Sequence, residues 1–237
     1  MSSETAVRLS AQVRRALQEH RCFEALFDKV LDVRKAVFGD LEELFDLPLQ
    51  TKKRIVFKNL FIGYYGSTIP LYESMIIDDA NIAENFEQRL TSILWPEGNT
   101  RFSSAFGSKS LLSFSELASG LEKTIRIMIL ESFGVEKYMD EHMDSANYIL
   151  WVMKYEGPQT SEATLGSRAH SDQNMVTLLY QNEVNGLEIH TQDGDWISVK
   201  PSSDTSIVMI GESFSVSHFN MNISFLESTN GGENYCF

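Results

Sequence analysis

The sequence is poor in cysteine, and it contains no long apolar run. Its two cysteines, Cys22 and Cys236, provide neither a disulfide framework nor the spacing of a zinc site. A reducing compartment is therefore the expected setting. No apolar run approaches the length that crosses a bilayer, and the N-terminus lacks a secretory signal pattern. We therefore expect a cytoplasmic protein without a membrane partner.

Basic residues are also scarce. The 237 residues contain 20 Lys and Arg against 33 Asp and Glu, which gives a net charge of −13. A nucleic-acid partner is not expected, because no basic cluster offsets this charge. The hydrophobic share of 43% is ordinary for a globular protein and is sufficient for the core of a large domain.

The most informative stretch runs from Leu165 to Ser213. It contains short apolar segments that are separated by turn-forming residues such as Asn-Gly and Asp-Gly. Short strands at this spacing predict an antiparallel barrel or jelly roll. The segments are Met175–Gln181, Leu187–Thr191, Trp196–Lys200 and Ser206–Ile210.

A His-x-Asp triplet precedes the first of these strands. In an extended chain residues i and i+2 point to the same face, so His170 and Asp172 can converge on one metal ion. Such a pair supplies two ligands of the 2-His-1-carboxylate site of non-heme iron oxygenases. The alternative is a polar pair in a loop. A second triplet begins at His142 in a helical pattern, where residues i and i+2 face apart, so we interpret it as helix surface.

The first part of the chain has helical periodicity. We predict helices over Thr5–Val30, Val33–Phe45 and Leu111–Phe133, with Gly134 as a C-cap, and a strand over Tyr148–Tyr155. The predicted fold class is therefore α+β, with a helix-rich part packed on a β part.

The segment AHSDQNMVTLLYQNEVNGLEIHTQDGDWISVKPSSDTSIVMIGES is similar to the core of plant 2-oxoglutarate and Fe(II)-dependent dioxygenases, close to the glucosinolate side-chain oxygenases of crucifers. The resemblance continues upstream through VRRALQEHRCFEALFDKV and GVEKYMDEHMDSANYILWVMKYEGPQT. It implies helices packed on a double-stranded β-helix, which is a jelly roll. It also implies a monomer that oxidises a small plant secondary metabolite with Fe(II), O2, 2-oxoglutarate as co-substrate and ascorbate as reductant.

The same resemblance implies roles for single residues. His170 and Asp172 correspond to the first two metal ligands, and no catalytic residue beyond the metal ligands is implied. Tyr155 corresponds to a tyrosine near 2-oxoglutarate, where its hydroxyl would donate to a carboxylate. The alternative for Tyr155 is a structural strand tyrosine.

The sequence departs from the family after Ser213. A working member completes its metal triad with a distal His followed by Arg-Val. It also grips the far carboxylate of 2-oxoglutarate with the Arg of an Arg-x-Ser motif. Here Arg168 is the last arginine, and Lys200 is the only lysine after it. His218 is the one histidine in the right region, so it is the candidate third ligand, with a solvated tail residue as the alternative.

These departures predict three regions. Residues 1–145 form the helix-rich N-terminal part, residues 146–215 a partial jelly-roll core, and residues 216–237 a non-homologous tail. We expect the jelly roll to be incomplete at its C-terminal end, and the tail to come from a frameshift, a retained intron or an erroneous gene model. Three functions stay open: an impaired dioxygenase, a non-catalytic truncated product of that family, and a β-barrel that binds a small molecule without iron chemistry.

Overall fold

The structure is a computed structural model, and it describes residues 3–56, 62–66, 72–97, 107–156, 165–190, 194–214, 223–226 and 234–237. Helices are concentrated before residue 145, as predicted. Their bounds are α1 Ser3–Glu19, α2 Leu31–Phe45, α3 Leu49–Lys52, α4 Ala83–Phe86, α5 Ser92–Leu94, α6 Gly107–Ser132 and α7 Met139–Asp144.

The first predicted helix is wrong beyond Glu19. Helix α1 ends there, and Arg21 follows with a left-handed φ of 60°, a conformation that cannot continue a right-handed helix. The chain then forms an edge strand, Cys22–Leu26, which pairs antiparallel with a strand at Thr205–Ile210. This distant partner overrides the local helical spacing, because strand formation depends on cross-strand context.

The strands lie mostly after residue 145, and the four segments predicted between Met175 and Ile210 are present as β6 to β9. The bounds are β1 Cys22–Leu26, β2 Gly63–Tyr65, β3 Tyr72–Asp78, β4 Ile149–Tyr155, β5 Leu165–His170, β6 Val176–Leu179, β7 Leu187–His190, β8 Trp196–Ser198, β9 Thr205–Ile210, β10 Ile223–Leu226 and β11 Asn234–Cys236.

The strands form two layers around a common core. In the larger layer, the order β2-β3-β4-β11 continues into β6-β9-β1. The junction is a bridge between Gln181 and Cys236, beside a reciprocal pair of backbone hydrogen bonds between Tyr180 and Phe237. The smaller layer has the order β5-β10-β7-β8. Buried residues from both layers, among them Met153, Leu179, Leu187, Met209 and Cys236, form one cluster, which we call the barrel core.

The described residues of the tail add strands to both layers. Strand β10 lies between β5 and β7, with Ile223 opposite both His170 and Ile189. Strand β11 lies beside β4, and Cys236 and Phe237 are buried. The α+β jelly-roll fold is confirmed, and the described residues of the tail contribute two strands, β10 and β11, that were not predicted. The sequence did not predict these two short strands, because the tail is only weakly periodic. Their partner strands also lie far away in the chain.

The helices cover the outer face of the larger layer. A cluster that includes Val13, Ile129 and Val208 joins α1 and α6 to β9. A second cluster, which includes Leu41 and Val152, joins α2 to β4. Within the described ranges, no helix combines the length and apolar character needed to cross a membrane.

Candidate metal centre

His170 and Asp172 lie at the end of β5 and in the turn that follows it, and their side chains meet. The Nε2 atom of His170 is 3.6 Å from Oδ1 of Asp172. Two atoms that each bind one metal ion at about 2.1 Å can be at most about 4.2 Å apart, so this pair can share an ion. The side chains are 41% and 19% exposed, respectively, which gives an ion access from solvent. Their role as metal ligands stays a prediction.

The turn after His170 is held by backbone hydrogen bonds from residues 211–213. The donor–acceptor pairs are Gly211 N to Met175 O at 3.0 Å, Glu212 N to Asp172 O at 2.8 Å and Ser213 N to Asn174 O at 3.2 Å. A Cβ on Gly211 would collide with the backbone oxygen of Asn174, so this close approach requires glycine. The segment that follows β9 therefore fixes the backbone that carries Asp172.

Side-chain hydrogen bonds orient the Asp172 carboxylate. Its Oδ2 accepts a hydrogen bond from Thr177 Oγ1, and Thr177 in turn accepts one from Asn174 Nδ2 at 2.8 Å. Partners of this kind orient carboxylate ligands in metal sites. The Oδ1 atom is then the one that lies near His170.

The donor set fits part of an iron site. An imidazole and a carboxylate suit a divalent first-row metal such as Fe(II) as two of its ligands. Over the ranges that the structure describes, no third His, Cys, Asp or Glu joins them in a metal-binding group. The predicted third ligand, His218, lies outside the described residues.

The second His-x-Asp triplet lies on helix α7, as predicted. Burial and the charge of Arg126 lower the pKa of His142 below its ordinary value. On a helix, side chains two positions apart do not face each other. His142 therefore offers a natural comparison for His170, with the same triplet on a different backbone.

Tyr155, the predicted contact of 2-oxoglutarate, is buried in the barrel core and is 4% exposed. Its hydroxyl is 3.8 Å from the sulfur of Met153, and its ring centroid is 4.9 Å from that of Tyr72. Burial raises the pKa of the Tyr72 hydroxyl to about 12. These contacts suit a structural strand tyrosine, and the role of Tyr155 toward 2-oxoglutarate stays a prediction.

A surface cavity of 310 Å³ lies away from the predicted site residues, at the end of α2. Its lining residues include Glu42, Glu43 and Pro48, and none of the predicted ligands contributes to it. It therefore has no part in the site around His170.

Sequence reasoning missed the supporting residues Thr177 and Gly211. Thr177 lies in an apolar strand, where its hydroxyl has no distinctive spacing. The one available signal for Gly211 was its position directly after the apolar segment that ends at Ile210, where glycine often marks a close backbone approach.

Comparison with protein families gives one clear match. The sequence profile of the 2OG-Fe(II) oxygenase superfamily matches residues 140–229. The probable 2-oxoglutarate-dependent dioxygenase AOP1 of Arabidopsis thaliana is 44% identical over 211 residues, which cover 86% of this chain and 67% of that protein. A probable inactive dioxygenase of the same plant, AOP2, is 29% identical and is matched over 71% of its length. The chain thus spans about two thirds of the length of such relatives.

Solved structures show the same architecture. The dioxygenase for auxin oxidation 1 of Arabidopsis thaliana, in complex with 2-oxoglutarate, superposes with a TM-score of 0.85 at 19% identity. That match covers 98% of this chain and 86% of the other. The dioxygenase for auxin oxidation of rice superposes with a TM-score of 0.73 at 19% identity, over 97% of this chain and 76% of the other. At these identities the likeness concerns the fold.

Proposed function

Because the chain belongs to the 2OG-Fe(II) oxygenase superfamily, we propose that it is an impaired dioxygenase of small plant metabolites, in which His170 and Asp172 bind a divalent metal. Fe(II) and 2-oxoglutarate are the family's cofactor and co-substrate. When bound, they supply the oxidation chemistry, and the protein contributes ligation and orientation.

The observation that carries this proposal is the geometry of His170 and Asp172. Their donor atoms are 3.6 Å apart on a turn fixed by residues 211–213 and by Thr177. A polar loop pair without a function would not need a carboxylate oriented toward an imidazole. The plant relatives named as dioxygenases support a small-molecule substrate class.

Two features support the impairment that we propose: the number of metal ligands, and the cations available to bind the far carboxylate of 2-oxoglutarate. Two protein ligands hold a metal more weakly than three, and no third one joins them within the described ranges. No arginine follows Arg168 in the sequence, and Lys200 is the only lysine after it. A hydrogen bond to a charged group contributes about 1.5–3 kcal/mol. Loss of about 3 kcal/mol weakens co-substrate binding more than 100-fold.

Metal binding tests the site directly. Mn(II) titration, followed by the loss of the free-ion electron paramagnetic resonance signal, compares the wild-type chain with His170→Ala and His142→Ala. We expect His170→Ala to weaken binding at least about tenfold, since outer-shell changes alone cost that much in metal sites. His142→Ala is the matched control, and it should bind like the wild type. Equal binding by the wild type and His170→Ala would show that the metal site is misassigned.

Turnover tests the impairment. Succinate release is measured with Fe(II), ascorbate and 2-oxoglutarate, for the wild type beside His170→Ala. We expect no release above that of His170→Ala. Robust release that His170→Ala abolishes would mean that the site is complete and the enzyme active.

Two alternatives give different results in the same experiments. A non-catalytic truncated product of the family would release no succinate and would bind Mn(II) no better than His170→Ala. A β-barrel that binds a small molecule without iron chemistry would bind that molecule equally well before and after His170→Ala. The oriented carboxylate of Asp172 favours the metal-binding proposal over both.

A further inference from the structure

Every second residue of strand β4 faces the barrel, and this row is open at one end. Met153 and Tyr155 are buried in the barrel core. Residues two apart in a strand share a face, so Ile149 and Trp151 point to the same side of the sheet. Unlike the two core residues, they are 61% and 38% exposed, respectively. The row therefore leads from an open mouth, which is apolar, to a closed interior.

The open end of this row is the end at which the metal pair lies. Strands β4 and β6 both pair antiparallel with β11, so they run in the same direction, about 10 Å apart as two strand spacings require. Met153 and Gln181 have the same partner in β11 and therefore lie at one level of the sheet. Four residues earlier in each strand, Ile149 lies at the level of Thr177. The hydroxyl of Thr177 donates to Asp172, so the apolar mouth lies beside the metal pair.

A hydrogen bond orients the indole of Trp151 in this mouth. The indole nitrogen is a donor only, and its partner is the hydroxyl of Tyr72, in the barrel-facing row of β3. Burial raises the pKa of that hydroxyl to about 12, and the hydrogen bond with Trp151 acts in the opposite direction, so Tyr72 stays neutral. The Tyr72 ring packs against Tyr155, with centroids 4.9 Å apart. The polar edge of the indole is thus engaged inside the barrel, and its apolar rings face the mouth.

An aromatic surface of this kind distinguishes ligands by shape. Small-molecule sites are concave and are lined mainly by apolar and aromatic side chains, as this mouth is. A flat ring on the Trp151 indole gains the attraction between aromatic rings in addition to the burial of its surface. A saturated ring of the same size gains only the burial. An indole that is already oriented also loses little conformational freedom when a ligand binds.

We propose that Trp151, held in place by Tyr72, stacks on an aromatic ring of the small molecule that reaches the metal pair, so that this barrel favours planar over aliphatic substrates. Trp151 would then determine specificity, and Tyr72 would be a positioning residue. This inference rests on the proposed function for the role of the metal pair, but the stacking itself requires no metal.

The test is a saturation-transfer NMR titration of the full chain in EDTA, with 3-phenylpropanol and with 3-cyclohexylpropanol. The probes have the same carbon skeleton and the same hydroxyl group, but only the first has a flat ring. The variants are Trp151→Leu, which keeps an apolar side chain, Trp151→Phe, which keeps a flat one, and Tyr72→Phe. Trp196→Ala is the matched control, because Trp196 is 44% exposed and packs against His190, in the row of β7 that faces away from the barrel core.

We expect the wild type to bind 3-phenylpropanol more tightly than 3-cyclohexylpropanol, although the saturated ring is the more apolar of the two. Trp151→Leu should lower the ratio of the two affinities about two- to tenfold, the contribution of one aromatic pair. Trp151→Phe and Trp196→Ala should keep most of the ratio. Tyr72→Phe should lower it by less than Trp151→Leu, and should shift the indole N–H resonance that Trp151→Leu removes.

Mn(II) then tests whether the stacked ring lies beside the metal pair. In the wild type, bound Mn(II) should broaden the resonances of 3-phenylpropanol. His170→Ala should remove this broadening and leave the affinity for the probe unchanged. Loss of the broadening alone would count against the metal site, whereas loss of the preference for the flat ring would count against the stacking.

Two results would overturn the inference. One is a wild-type chain that binds 3-cyclohexylpropanol at least as tightly as 3-phenylpropanol, or that binds neither, which can be measured without any variant. The other is a Trp151→Leu chain, shown by its melting temperature to be folded, that keeps the wild-type ratio. That result would show that the flat ring does not rest on Trp151.

Discussion

Replacing Phe237 with alanine should lower the free energy of unfolding by about 3–5 kcal/mol, the usual cost of truncating a buried phenylalanine. Phe237 is 6% exposed, and its ring centroid lies 4.3 Å from that of Phe114 and 5.6 Å from that of Phe38. Aromatic pairs of this kind add about 0.5–1.5 kcal/mol beyond simple burial. The substitution keeps the backbone hydrogen bonds to Tyr180. The decrease in the free energy of unfolding therefore reports the contribution of the Phe237 side chain alone.

Urea unfolding followed by circular dichroism measures this loss, as a shift of the midpoint at constant slope. Phe133→Ala is the matched control, because Phe133 is 50% exposed. The Arg14 guanidinium lies 4.4 Å from the Phe133 ring centroid, a contact that contributes about 0.5–1 kcal/mol at an exposed site. If Phe237→Ala costs no more than Phe133→Ala, the end of the tail is not part of the core and the position of β11 is wrong.

Two further substitutions probe local features. Gly211→Ala should lower stability by about 1–3 kcal/mol in urea unfolding, because its Cβ would collide with the backbone of Asn174. Gly120→Ala, in an open position of helix α6, should instead raise stability by about 0.5–1 kcal/mol; a loss there as large as at Gly211 would contradict the steric explanation. A hydrogen bond from Arg34 holds the pKa of Glu183 below its ordinary value, so this pair stabilises the fold above that value and ceases to do so as the pH falls through the lowered pKa. Glu183→Gln should therefore flatten the acid side of a stability–pH profile, and an unchanged profile would exclude the pair as its cause.

The sequence was sufficient for the parts of the fold that depend on local pattern. Short apolar segments separated by turn residues such as Asn-Gly and Asp-Gly predicted strands β6 to β9, which the structure shows with slightly shorter ends. Helix α6 was also predicted over most of its length, together with the C-cap at Gly134, which has a φ of 69°. In each case the residues that decide the structure lie within a few positions of one another.

What the sequence could not predict depends on distant partners. Cys22 becomes a strand residue because Met209 pairs with it, and Asn234 because Tyr155 does. No local spacing contains that information. The same distinction between local pattern and distant partners applies to the candidate site. His170 and Asp172 were predicted from their separation of two, whereas the contribution of Gly211 emerged only when β9 and the turn after β5 were seen together.

The pairing of β1 with β9 has a consequence for synthesis on the ribosome. β1 is among the first segments to be made, but β9 is among the last. At about 5–20 residues per second, β1 waits roughly 10 to 40 s for its partner. During that time its backbone donors and acceptors are open to other chains, and the exposed charge of Glu24 is one of the few features that discourages such pairing. Polypeptides released before β9 would keep this strand available, so early termination carries a larger aggregation risk than the completed chain.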